Sequence, residues 1–141
     1  TYGHGEGDRL LKQLAHVVRG SVRQSDIVGR YGGEEFMVLL PATCLEDSMV
    51  TAEKIRTAIQ DNVTNPTRIT VSIGVSSCLS YKATRSNYNS SMVIAAILEQ
   101  ADQALYRAKA GGRNRVEQCR KIIYLNPDQP LYRIPSVHIV K

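Results

Sequence analysis

Residues 30–36 read Arg30-Tyr31-Gly32-Gly33-Glu34-Glu35-Phe36. Two glycines between an aromatic residue and a pair of acids make a tight reversal, with a backbone bare enough for a ligand to come close. Upstream, Asp26-Ile27-Val28-Gly29-Arg30-Tyr31 predicts a strand. Downstream, the apolar run Phe36-Met37-Val38-Leu39-Leu40 predicts a second one that stops at Pro41. Gly32-Gly33 is then a hairpin tip with Glu34 and Glu35 beside it. Two adjacent carboxylates at the mouth of an apolar strand repel each other unless a cation meets them. A divalent metal carrying nucleotide phosphates meets that need. Solvated glutamates on an ordinary Gly-Gly turn avoid it, so the choice falls to the remaining sequence.

With 141 residues the chain has room for one domain with a true core, and too little for two. A net charge of +5 admits polyanionic partners. Lys and Arg are scattered, with no basic block and little aromatic interleaving, which argues against nucleic acid as a partner. Cys44, Cys78 and Cys119 are odd in number and lack metal-site spacing, so a reduced, cytoplasmic setting is expected. His4, His16 and His138 are too far apart in sequence to suggest a metal cluster. No segment is apolar for long enough to span a bilayer and no signal peptide opens the chain, so no membrane contact is expected from it.

Leu10, Leu11, Leu14, Val17 and Val18 fall on one helical face, with Asp8 where an N-cap would stand. After the hairpin, Leu45, Met49, Ala52, Ile55 and Ile59 mark a second helix that fades before Asn62 and Pro66. Ile69, Val71, Ile73 and Val75 alternate with Thr70, Ser72 and Gly74, the pattern of a half-buried strand. Residues 80–91 are polar and aperiodic, which predicts a mobile loop. Ile94, Ile97, Leu98, Ala101, Leu105 and Ala108 mark a third helix closed by Gly111-Gly112. The order α-β-β-α-β-α-β implies an α/β sandwich, a mostly antiparallel sheet with helices packed on it.

The stretch RYGGEEF resembles the signature of the GGDEF domains, the diguanylate cyclases that condense two GTP into cyclic di-GMP. The family's other blocks arrive in order over residues 2–116. Tyr2-Gly3-His4-Gly5-Glu6-Gly7-Asp8 is similar to YGHxxGD, and Arg23-Gln24-Ser25-Asp26 to the RxxD inhibitory motif. Thr70-Val71-Ser72-Ile73-Gly74-Val75 is similar to the TxSIGV strand. Residues 101–109 and Gly112-Arg113-Asn114 are similar to ADxALYxAK and GRN. The resemblance implies the palm-like nucleotidyl-cyclase fold, a mostly antiparallel central sheet flanked by helices, over residues 1–117.

Family members begin with a central strand that carries an Asp metal ligand and an Asn that helps to read guanine. Thr1 stands past that strand, so the chain reads as a piece of a longer cyclase or a degenerate relative. Its activity by itself is expected to be weak or absent. Residues 118–141 form a C-terminal extension in which 121–125 and 136–140 read as short apolar strands, separated by Pro127, Pro130 and Pro135. The extension is expected to lie on the surface, to be a linker to a lost domain, or to supply a strand to the sheet, in its own chain or a neighbour's.

By resemblance, Glu34 is a metal ligand, for Mg²⁺ or Mn²⁺, and the acceptor of the attacking ribose 3′-hydroxyl proton. Glu35 would orient the ion or the hydroxyl, or be a solvated turn residue. Gly32 and Gly33 would let the backbone lie against the ribose and α-phosphate. Asp8 would match the paired N–H groups of guanine with its two oxygens, cap the helix, or do both. Lys109 and Arg113 would hold the β- and γ-phosphates, although cations near a helix C-terminus are also ordinary dipole partners. Arg23 and Asp26 would bind the cyclic di-GMP product at an inhibitory site. Arg30 would join that phosphate site or a cross-strand salt bridge. Two GTP-loaded domains facing each other as a homodimer would form the two phosphodiester bonds, in a parent protein free in the cytoplasm or membrane-tethered. The alternative is a non-catalytic module that binds cyclic di-GMP or GTP for regulation or dimerisation.

Overall fold

The structure, a computed structural model, describes residues 4–65, 67–81, 90–119, 123–124, 131–133 and 136–140. Helix α1 (His4–Ser21) leads to strands β1 (Ile27–Arg30) and β2 (Phe36–Leu40), then helix α2 (Leu45–Asn62). Strands β3 (Thr64–Asn65), β4 (Thr67–Arg68), β5 (Ile73–Ser76) and β6 (Cys78–Tyr81) precede helix α3 (Ser90–Ala110). Strands β7 (Val116–Gln118), β8 (Ile123–Tyr124), β9 (Leu131–Arg133) and β10 (Ser136–Val140) follow.

The main sheet runs β1-β2-β10-β5-β7. It is antiparallel except for the β5–β7 pair, so the expected α/β architecture with a mostly antiparallel sheet is found. Strand β10 is its centre, paired with β2 from Ser136–Leu40 to Val140–Phe36 and with β5 from Val137–Ser76 to Val140–Ile73. A small second sheet has the order β8-β6-β9. The loop expected over residues 80–91 is therefore partly regular: Ser80 and Tyr81 end β6, and Ser90 and Ser91 open α3. Residues 82–89 lie outside the described residues, as do Pro66, Pro127, Pro130 and Pro135.

The period-3.6 stripe of α1 buries Leu14 and Val18, and that of α2 buries Ala52, Ile55 and Ile59. Both stripes meet one face of the sheet, where Phe36, Val38, Leu40, Ile73 and Val75 complete the core. Helix α2 starts on an unusual cap, with the Cys44 Sγ accepting from the Asp47 backbone N–H at 3.5 Å. Cys44 and Cys119 are free thiols.

Strand β5 departs from the expected half-buried pattern. It is shorter than residues 69–75 suggested, and all four of its residues are buried. The reason is that α3 covers the second face. Ser76 Oγ donates to the Ile97 carbonyl at 2.9 Å, and Gly74 lies directly beneath the helix backbone. A Cβ at Gly74 would stand 2.2 Å from the Ala101 carbonyl oxygen and 2.4 Å from the Leu105 nitrogen. These are backbone atoms that no rotamer change can move. Gly74→Ala is therefore expected to destabilise the chain by about 3 kcal/mol or more, the upper range for overpacking. In a thermal melt that is a drop of roughly 10 °C. An unchanged melting temperature would show that α3 does not sit on this strand.

Candidate active site

The β1–β2 hairpin pairs Arg30 with Phe36, so Tyr31 to Glu35 form its loop. Asp26 and Tyr31, expected in the first strand, fall outside it. The loop closes on itself through one acceptor: the Glu35 carbonyl receives the Tyr31 N–H at 2.7 Å and the Gly32 N–H at 3.3 Å. Arg30 turns back onto the loop. Its Nη2 donates to the Gly33 carbonyl at 2.6 Å, and its Nε to the Gly32 and Gly33 carbonyls at 3.2 and 3.1 Å. A charged donor on the two glycine carbonyls stiffens the tip from within.

Neither Gly32 nor Gly33 has positive φ, so this is not the two-residue primed turn that Gly-Gly favours. Their value is steric. A Cβ at Gly32 would come 3.1 Å from the Glu35 carboxylate, whereas one at Gly33 would meet no protein atom within 4 Å. The space against Gly33 is open to a ligand. Glu34 and Glu35 are loop residues, not strand residues, so strand alternation does not set their directions.

Glu34 stands between two depressions. One, of about 310 Å³, gathers Glu34, Thr70, Ser72, Lys109 and Arg113. The hairpin loop, the approach to β5 and the end of α3 thus converge over long sequence separations. The two cations offer charged donors that suit a polyphosphate. An exposed carboxylate with two hydroxyls beside it also fits a hard divalent ion that keeps most of its ligands as water and phosphate oxygens. Among the described residues there is no cluster of three or more His, Cys, Asp or Glu side chains that would hold a metal alone. The second depression, of about 580 Å³, runs from Gly33 and Glu34 along an apolar wall that includes Leu10, Leu14, Phe36 and Val71.

Arg113 reaches the site from a strained turn. After α3, Gly112, Arg113 and Asn114 have φ of 115°, 61° and 45°. A non-glycine residue in the left-handed region costs roughly 1–2 kcal/mol, and such strain concentrates at functional sites. The Arg113 N–H caps the helix through the Ala108 carbonyl at 3.0 Å. Thr70, Ser72 and Asp102 had been assigned no role from sequence, although all three stand in the quoted motifs. Burial, and then the Glu35 carboxylate, push the Asp102 carboxyl above the usual range, while Lys109 opposes them. Asp102 therefore shares the electrostatic surroundings of the loop and of Lys109.

Asp8 is set apart from this group. Helix α1 begins at His4, so Asp8 lies inside it and cannot be its N-cap. It lines a neighbouring depression with Lys12, Arg30 and Phe36. Lys12 Nζ is 2.7 Å from Asp8 Oδ2 and holds the carboxyl below the usual range, with Arg30 adding to the effect. Tyr2 and Gly3 of the same motif lie outside the described residues.

Arg23 and Asp26 make a preformed turn beyond the far end of α1. Asp26, only 5% exposed, accepts the Arg23 N–H at 2.7 Å through Oδ2, and its own N–H donates to the Arg23 carbonyl at 3.1 Å. Arg19, which sequence reading passed over, braces the turn by donating to the carbonyls of Asp26, Arg23 and Gln24 at 2.6, 3.0 and 3.1 Å. Its signal was only that of a cation in a last helical turn. The Arg23 residue itself is exposed.

Comparison with known proteins agrees with this geometry. The family model "Diguanylate cyclase, GGDEF domain" matches residues 1–115. Diguanylate cyclase A of Treponema denticola is 40% identical over 121 residues, which cover 82% of this chain and 30% of that protein. Diguanylate cyclase DgcP of Pseudomonas aeruginosa is 42% identical over 120 residues, covering 82% of this chain and 16% of that protein. The chain thus spans less than a third of either relative. The active GGEEF domain of a diguanylate cyclase from Vibrio cholerae has a TM-score of 0.68 at 34% identity, over 85% of this chain and 72% of that one. The GGDEF domain of DgcB from Caulobacter crescentus, solved with cyclic di-GMP, has a TM-score of 0.69 at 28% identity, over 85% and 68%. Matched by that family model over residues 1–115 and by relatives 40% and 42% identical, this chain belongs to the GGDEF domain family of diguanylate cyclases.

Proposed function

We propose that this chain is the catalytic domain of a diguanylate cyclase, which joins two GTP into cyclic di-GMP. The supporting observation is the convergence of Glu34, Lys109 and Arg113 on one depression beside the open face of Gly33. Lys109 and Arg113 hold the β- and γ-phosphates, Arg113 by its planar fork and Lys109 as a point charge. The α-phosphate then lies against Gly33, within reach of Glu34, and the apolar depression beyond offers a wall for the purine ring. Asp8 accepts from the guanine edge through the oxygen that Lys12 leaves open.

The 3′-hydroxyl oxygen of one GTP attacks the α-phosphorus of a GTP held by a facing copy of the chain. The α–β phosphoanhydride bond breaks, pyrophosphate leaves, and the Glu34 carboxylate receives the hydroxyl proton. Repeating the step in the opposite sense closes the ring, hence a working homodimer. Mg²⁺ or Mn²⁺, held by Glu34, would neutralise charge on the α-phosphate and lower the hydroxyl pKa. Glu35 and Asp102 tune that site by like charge. The Arg23–Asp26 turn binds the product, with the exposed Arg23 taking a phosphate or stacking on guanine. Arg19 holds that turn through three backbone carbonyls. No described helix is long and apolar enough to cross a membrane. A GTP substrate and free thiols agree with a cytoplasmic site of action. The test is conversion of GTP to cyclic di-GMP by the whole protein with Mg²⁺, abolished by chelation.

A further inference from the structure

We infer that Arg56, on α2, is a positioning residue that aims Arg113 at the terminal phosphates of the nucleotide; this rests on the GTP site proposed above. Arg113 and Asn114 both hold left-handed φ, so the turn needs a restraint from outside itself. Arg56 supplies it across 58 residues of sequence. Its Nη1 donates to Asn114 Oδ1 at 2.7 Å and to Gln60 Oε1 at 2.9 Å, and Asn114 Nδ2 closes the triangle on Gln60 Oε1 at 3.0 Å.

The other edge of the guanidinium is held as firmly. Nε donates to Glu53 Oε1 at 2.9 Å, and Nη2 to the same oxygen at 2.5 Å. The pairing keeps the Glu53 carboxyl below the usual range and raises Arg56 further, so both stay charged. The Arg56 side chain is only 15% exposed. It does not line the depression that holds Lys109 and Arg113, so it acts on the phosphates only through the turn. A lysine, with one nitrogen, cannot grip Glu53 and Asn114 with the same planar geometry.

Calorimetric titration of the chain with GTP and Mg²⁺, and separately with GMP, tests this. Arg113→Ala and Arg56→Ala are each expected to weaken GTP roughly tenfold, the loss of one charged phosphate contact. The double variant should be no weaker than Arg113→Ala alone, because both substitutions cut one linkage. GMP, which lacks the β- and γ-phosphates, should bind Arg56→Ala as it binds the unsubstituted chain. Arg56→Lys should not rescue GTP affinity. Asn114→Gly keeps a residue at ease with left-handed φ while removing the hook, and should reproduce the loss. It carries the comparison if Arg56→Ala fails to fold. Additive losses in the double variant, or equal losses for GMP and GTP, would overturn the inference. So would full GTP affinity in Arg56→Ala beside a weakened Arg113→Ala. Unchanged affinity in Arg113→Ala, or no GTP binding by the unsubstituted chain, would instead overturn the site on which it rests.

Discussion

Glu34→Gln is expected to lower the rate of cyclic di-GMP formation by roughly 10²–10³-fold, about 3–4 kcal/mol of barrier, as when a preorganised electrostatic partner is lost. The substitution keeps the shape of the side chain and removes its charge. It therefore takes away the proton acceptor and the metal carboxylate together, while Lys109 and Arg113 continue to hold the phosphates. GTP should still bind, so the loss should fall on kcat more than on KM. Glu34 is an exposed loop residue, and its replacement should leave stability within ~0.5 kcal/mol. Turnover assays beside a thermal melt check both halves. Near-normal turnover by the Gln variant would remove Glu34 from the chemistry.

The second large effect is structural. Deleting residues 136–141 is expected to make the chain aggregate. Strand β10 is hydrogen-bonded on both sides, to β2 and to β5, and both α2 and α3 pack against it. Its removal would open two rows of backbone donors and acceptors in mid-sheet, each costly when left unpaired away from water. It would also part the β2 and β5 halves of the sheet, and Glu34 follows one half while Lys109 and Arg113 follow the other through α3. Size-exclusion chromatography and thermal melting of the truncated chain decide the matter. A soluble, cooperatively melting truncation would show that β10 is dispensable.

Much of this arrangement was readable in the sequence because local pattern and local structure agree. The stripes of α1, α2 and α3 follow from period-3.6 spacing, although Ile94 near the start of α3 is exposed, and β2 follows from the apolar run Phe36–Leu40 that stops at Pro41. The hairpin was visible in Gly32-Gly33, although the five-residue loop and the grip of Arg30 on it were not. Those depend on the direction of one guanidinium, which spacing does not encode. Ser136–Val140 read as a strand, but a five-residue alternation carries no record of which strands it will lie between. Burial of β5 on both faces went unseen for a related reason. The clue lay in Gly74, whose missing side chain admits the α3 backbone, and it makes sense only once α3 is in place.

The candidate site divides along the same line. Glu34, Lys109 and Arg113 were named from motifs, and the fold brings them together. The fold keeps Asp8 apart in its own depression, tied to Lys12, and inside α1, which starts five residues earlier than the cap assignment required. The Gly111-Gly112 pair was read as a helix stop, yet the left-handed turn runs on through Arg113 and Asn114. What holds it there is Arg56, far away in sequence, and no local rule links the two.

The most direct test of the central claim is the fate of GTP incubated with the whole protein and Mg²⁺, followed by chromatography. The predicted result is cyclic di-GMP with two pyrophosphates released per ring closed, lost on chelation and restored by added metal. Release of GDP and phosphate alone, or tight binding of cyclic di-GMP with no synthesis of it, would contradict the assignment of Glu34, Lys109 and Arg113 to a cyclase active site.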